Sequence, residues 1–118
     1  MNRLHGYTRR VAQWWEDGFD LLLTPTLPEA PPLLGAFRPD PVDPAATGLS
    51  AMAFAAFTLP FNVTGQPAIS LPLHWSADGL PVGVQLVAAY DGEDLLLRVA
   101  AQLEVAQPWA ERRPPLHA

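Results

Sequence analysis

Seven prolines fall between Pro25 and Pro44, at positions 25, 28, 31, 32, 39, 41 and 44. Each removes a backbone donor and fixes φ, so this stretch can neither pair as a central strand nor wind into a helix. It reads as an extended surface loop over residues 25–44, and a loop of that length suggests a lid or a wrap around a neighbouring surface. Low charge and several leucines favour the wrap. Regular structure is thereby confined to a short segment before the loop and a longer one after it.

Before the loop, Leu4, Tyr7, Val11, Trp14 and Trp15 recur at three- and four-residue spacing, which predicts a helix over roughly Leu4 to Gly18 with these side chains on one face. Gly18 suits the left-handed turn that ends a helix. Asp20 to Thr24 is a short apolar run stopped by Pro25, the pattern of a strand buried on both faces, as in a parallel sheet. After the loop, Thr47 or Ser50 is expected to cap a helix running to Phe57. That segment is apolar all round, so it needs cover on every side. The stretch Pro60 to Pro67 combines turn formers with Asn62 and Gly65, and structural duty explains both. Ala68 to Leu73 and Pro81 to Ala89 form a hairpin across the Asp78-Gly79 turn, with Pro72 requiring an edge, a bulge or a strand end. Asp91, with Asp94 three residues on, is expected to cap a last helix whose apolar face is Leu95, Leu96, Val99, Leu103 and Ala106.

Composition excludes several kinds of chemistry. The formal net charge is −5, all seven basic residues are arginines, and cysteine is absent. Disulfides, thiolate metal sites and lysine bases are therefore impossible within the chain. An acidic chain without a basic run is a poor partner for nucleic acid. No apolar stretch is long enough to span a membrane, and the first ten residues lack the apolar core of a secretory signal, so the cytoplasm is the expected location. Leu, Ile, Val and Phe make up 32 of 118 residues, enough for a core to form.

Few residues invite a catalytic reading. His5, His74 and His117 are far apart and lack metal-ligand spacing. His74, Ser76 and Asp78 alternate at the hairpin tip and project into water, without the pocket that a triad needs. A polar turn explains them. The acidic groups Glu16-Asp17-Asp20 and Asp91-Glu93-Asp94 lie at helix ends. No metal site and no cofactor is expected.

Four blocks in order resemble the C-terminal portion of the amidase signature family: Asp20-Leu-Leu-Leu-Thr-Pro-Thr26, Asn62-x-Thr-Gly-x-Pro-Ala68, Asp78-Gly-Leu-Pro-Val-Gly-Val-Gln-Leu-Val87, and a Leu-rich helix ending near Pro108-Trp109. The resemblance implies an α/β fold, in which a mixed, largely parallel sheet is flanked by helices. This chain, residues 1–118, would be a single partial domain in the order helix, strand, Pro-rich loop, helix, β-hairpin, helix. It also implies carboxamide hydrolysis by a Ser-Ser-Lys triad, with backbone N–H groups of a Gly/Ser-rich loop holding the oxyanion. That machinery lies upstream of the region matched here, so no catalytic residue is assigned. The resemblance further implies that Ala55 and Leu59 face the acyl cleft, with plain core packing as the competing explanation.

Two other readings remain beside the amidase segment. One is a non-catalytic binding module, favoured by the initial Met1. The other is a separate polypeptide that completes an amidase in trans. The expected partner is the N-terminal part of an amidase, in the same or a separate chain, with self-association as a further expectation. The abundance of Pro and Arg without Lys suggests a bacterial source.

Overall fold

A computed structural model describes residues 2–39 and 41–113. Helix α1 (Asn2–Glu16) leads into strand β1 (Leu21–Pro25), and the Pro-rich loop follows. Next come α2 (Pro44–Phe54), the short α3 (Leu59–Thr64), the hairpin β2 (Ala68–Trp75) and β3 (Pro81–Ala88), and α4 (Glu93–Ala106).

The three strands form one sheet in the order β1-β3-β2, and both pairings are antiparallel. This corrects the parallel arrangement expected for the 20–24 strand. The apolar run did report burial on both faces for two of its leucines. Leu21 packs against the core under α4, and Leu22 lines a groove on the opposite face with Trp15 and Phe61. Leu23 is 64% exposed. A run of leucines records burial and carries no information on strand direction, which is set by the neighbour the strand finds.

The hairpin forms as its sequence predicts. Pro72 lies on β2, an edge strand, and the register shifts between Pro72 and His74, so the missing donor coincides with an irregularity. The turn is closed by Ser76, whose N–H donates to Leu80 O at 2.9 Å and whose hydroxyl accepts from Leu80 N at 3.1 Å.

One face of the sheet meets α4. Leu71, Leu86, Ala88, Leu96 and Ala100 form the buried cluster there, with Leu21, Ile69, Leu73, Val99, Leu103 and Trp109 packed around it. The predicted face of the last helix therefore enters the core, although Ala106 is exposed. Its cap differs from expectation. Gly92 is the N-cap, with no side-chain capping bond, and Asp91 takes a positive φ of 61° in the turn before it. A Cβ on Gly92 would stand 2.8 Å from the Ala88 Cβ, so only glycine lets the helix start this close to β3. At the far end, the Gln107 amide donates to Leu73 O at 2.6 Å and fastens α4 to β2.

The opposite face meets α1 and α3. Helix α1 ends with Gly18 at φ 99°, as its sequence predicts. Beyond it Phe19 stacks on Trp14 at 4.4 Å. Helix α3 occupies the stretch expected to be a turn-rich loop. Pro60 fits its first turn, where no N–H is needed, and Gly65 ends it at φ 83°. The Tyr90 hydroxyl closes it by donating to Thr64 O at 2.5 Å.

Helix α2 starts earlier than expected. Asp43, not Thr47 or Ser50, is its N-cap and accepts from Ala46 N at 3.2 Å. Ser50 instead bonds back to Ala46 O within the helix. The Pro-rich loop wraps onto this helix, placing Phe37 against Phe54 at 5.4 Å. Little else covers α2, and Leu49 and Met52 are exposed, as are Leu33, Leu34 and Val42 of the loop.

Two whole-chain quantities express the same shortage of cover. The radius of gyration is 17.1 Å, against about 13.5 Å for a compact domain of this length. The accessible surface is 8868 Å², against roughly 6,300 Å² for a folded monomer of this mass.

Candidate functional site

The sheet face turned toward α2 and α3 carries a polar strip across all three strands. Register places Thr24 of β1 opposite Gln85 of β3, and Gln85 opposite Ser70 of β2. Just past β1, Thr26 N donates to Gly83 O at 3.0 Å, so the next cross-strand position falls on Thr26 and Gly83. Side chains two apart on a strand share a face, which brings Thr24, Thr26, Ser70, Gly83 and Gln85 to the same side.

Two features of the strip have chemical content. The Thr26 and Ser70 hydroxyls are 2.6 Å apart. They close over Gly83, where a Cβ would stand 2.7 Å from Thr26 Oγ1 and 2.8 Å from Ser70 Oγ. They line a cleft of about 620 Å³ between the start of the Pro-rich loop and the hairpin, and among the described residues Glu29 is the only ionisable one lining it. Two hydroxyls that share one hydrogen bond leave one proton and several lone pairs for a third group. Among the described residues no histidine lines the cleft, and the chain has no lysine.

The second feature is Gln85, which is 5% exposed. Its amide donates to Thr24 Oγ1 at 3.0 Å and to Phe57 O at 2.8 Å, linking β3 to β1 and to the segment between α2 and α3.

On the same sheet face an apolar groove of about 350 Å³ lies among α1, β1 and α3, walled by Tyr7, Val11, Trp14, Trp15, Leu22 and Phe61. The Trp15 indole N–H is buried there with no hydrogen-bond partner among the described residues.

The residues that the sequence singles out are dispersed. Ala55 is the C-cap of α2 and half-buried, while Leu59 opens α3 and is 38% exposed. They are not on one continuous helix. Leu59 N nevertheless donates to Ala55 O at 2.9 Å, which keeps them one helical turn apart across the break. His5 and His74 are exposed, and His117 lies outside the described residues. Ser76 is engaged in its own turn. Among the described residues no three His, Cys, Asp or Glu side chains converge as a metal site, and no helix is long and apolar enough to cross a membrane. Thr24, Thr26, Ser70 and Gln85 do not stand out in the sequence. Ser70 and Gln85 alternate correctly on the two hairpin strands, but the pairing with β1 that assembles the strip crosses the Pro-rich loop.

The amidase family profile matches residues 1–97. The chain belongs to the amidase family. Its match to 6-aminohexanoate-cyclic-dimer hydrolase of Paenarthrobacter ureafaciens is 51% identical over 121 residues, covering 98% of this amidase chain and 24% of the relative. The solved structure of 6-aminohexanoate cyclic dimer hydrolase superposes with a TM-score of 0.87 at 48% identity, over 97% of this chain and 25% of that one. A glutamyl-tRNA(Gln) amidotransferase subunit from Thermotoga maritima superposes with a TM-score of 0.68 at 31% identity, covering 88% of this chain and 22% of that one. This amidase chain spans about a quarter of the length of the relatives it matches.

Proposed function

We propose that the chain is the C-terminal segment of an amide hydrolase, supplying scaffold and part of the substrate-cleft wall to a Ser-Ser-Lys triad carried by other polypeptide. The reaction is cleavage of a carboxamide C–N bond. The observation that carries this reading is that 98% of the chain matches only 24% of a hydrolase, while its 118 residues contain no lysine. A serine nucleophile without its base and oxyanion donors loses many orders of magnitude in rate. Ala55 and Leu59 contribute the cleft wall, and the likeness to hydrolases of the 6-aminohexanoate cyclic dimer supports a substrate in which an amide joins methylene chains.

The partner in this reading is the N-terminal three-quarters of an amidase, in the same or a separate chain. The exposed apolar residues of α2 and the Pro-rich loop support it, because an apolar helix with little cover needs a surface to lie against.

The test replaces the matching quarter of 6-aminohexanoate-cyclic-dimer hydrolase with this chain. The chimera is expected to hydrolyse the cyclic dimer, and the chain alone to hydrolyse no amide or ester. Serine-reagent-sensitive turnover by the pure chain, or an inactive but folded chimera, would overturn the proposal.

A further inference from the structure

We infer that Gln85 is a positioning residue, which ties the elbow between α2 and α3 to the sheet and so sets where Ala55 and Leu59 stand. The inference rests on the cleft-wall reading above and adds to it the group that holds the wall in place.

The need for a tether arises from Pro60. In an unbroken helix the carbonyl of residue i accepts from the N–H of residue i+4, or of i+3 in a tighter turn. Phe57 O has neither. Pro60 has no N–H to offer at i+3, and Phe61 N donates instead to Thr58 O at 3.2 Å. Ala55 O is used heavily, accepting from Thr58 N at 3.1 Å, Leu59 N at 2.9 Å and the Thr58 hydroxyl at 3.2 Å. The elbow therefore leaves Phe54 O, Ala56 O and Phe57 O without a helical donor, and of these Phe57 O is the one that a side chain of the sheet reaches. Gln85 fills that need at 2.8 Å from across the sheet.

Gln85 suits a tether. A primary amide has two N–H protons, and both of its receivers are fixed, one on β1 and one on the elbow. Its own strand lies in the middle of the sheet, so the elbow is referenced to the most constrained part of the fold. Phe57 stands two residues from Ala55 and two from Leu59. A displaced Phe57 carbonyl moves both.

The test uses Gln85→Met, which keeps length and burial but donates nothing. Thr24→Val, which removes the amide's other anchor and leaves the elbow untouched, is the second variant should the first fail to fold. In the isolated chain, hydrogen exchange of the Thr58, Leu59 and Phe61 amides is expected to quicken about tenfold in Gln85→Met, while Leu71 and Leu86 in the sheet keep their rates. Unchanged elbow exchange, or a uniform rise across the sheet, overturns the inference. In the hydrolase chimera, Gln85→Met is expected to raise KM about tenfold with kcat changed much less, since binding and not chemistry is disturbed. Thr24→Val shifts KM in the same direction by less. Equal loss in KM and kcat, or none, overturns the positioning role. If Ala55→Leu and Leu59→Ala leave KM unchanged, the cleft-wall reading fails, while the exchange measurement still decides the tether.

Discussion

Gly83 matters by the side chain it lacks. The hydroxyls of Thr26 and Ser70 meet directly over it, and an added methyl group would overlap both oxygens and approach Thr26 Cβ to 3.1 Å. The two oxygens can withdraw only by turning about χ1, and Thr26 Cβ, fixed to its backbone, cannot withdraw at all. Gly83→Ala must therefore push β1 away from β3 or break the hydroxyl pair, at a cost of about 1–3 kcal/mol. Urea denaturation of the two proteins measures it. Gly79, at the hairpin tip, has open space around its missing Cβ but a φ of 78°. Gly79→Ala should therefore destabilise by the backbone term alone, on the order of 1 kcal/mol. A larger loss at Gly79 than at Gly83 would contradict the packing argument. Reading one sequence reveals glycines of the Gly79 kind, because a turn announces itself by the Asp-Gly pair. It does not reveal those of the Gly83 kind, because the crowding atoms come from Thr26, just past β1, and from Ser70 of β2, and depend on a pairing the sequence leaves open.

Helix α2 shows where local reading stops. The longest elements, α1, the hairpin and α4, follow from apolar period and turn chemistry within their own residues, and their positions match expectation closely. For α2 the apolar pattern has no period, since nearly every position is apolar, so the sequence offers no face and several capping residues. Pro44 at the first helical position and Asp43 before it decide the start, a signal hidden among the prolines of the loop. The short α3 is obscured for the same reason, because Pro60 and Gly65 read as turn formers when they are the first turn and the C-cap of a six-residue helix. The cap is testable. Asp43→Ala removes the acceptor for Ala46 N, and the expected loss is about 0.5–1 kcal/mol of local stability. Exchange of the amides of 45–48 should quicken in that variant while α4 is unchanged. Equal protection in both proteins would remove Asp43 from its role.

At the scale of the whole molecule, the surface exceeds that of a compact monomer by roughly 2,600 Å², more than the roughly 800 Å² that one partner gives to a standard-size interface. The excess is apolar where it is most concentrated, on Leu33, Leu34, Val42, Leu49 and Met52. Sheet geometry adds to it, since among the described residues β1 and β2 each pair on one side and leave an outer edge open. A chain in this state gains by covering itself with whatever is present. Alone, that is another copy. The purified protein is expected to sediment above the monomer mass at micromolar concentration and to enhance the emission of a dye that binds apolar surface. Adding the N-terminal three-quarters of the Paenarthrobacter hydrolase should compete with this association, lower the dye signal and yield a one-to-one complex. A monodisperse monomer with little dye binding would mean that the loop and α2 fold back to cover one another, and the apolar surface would then have no partner to explain it.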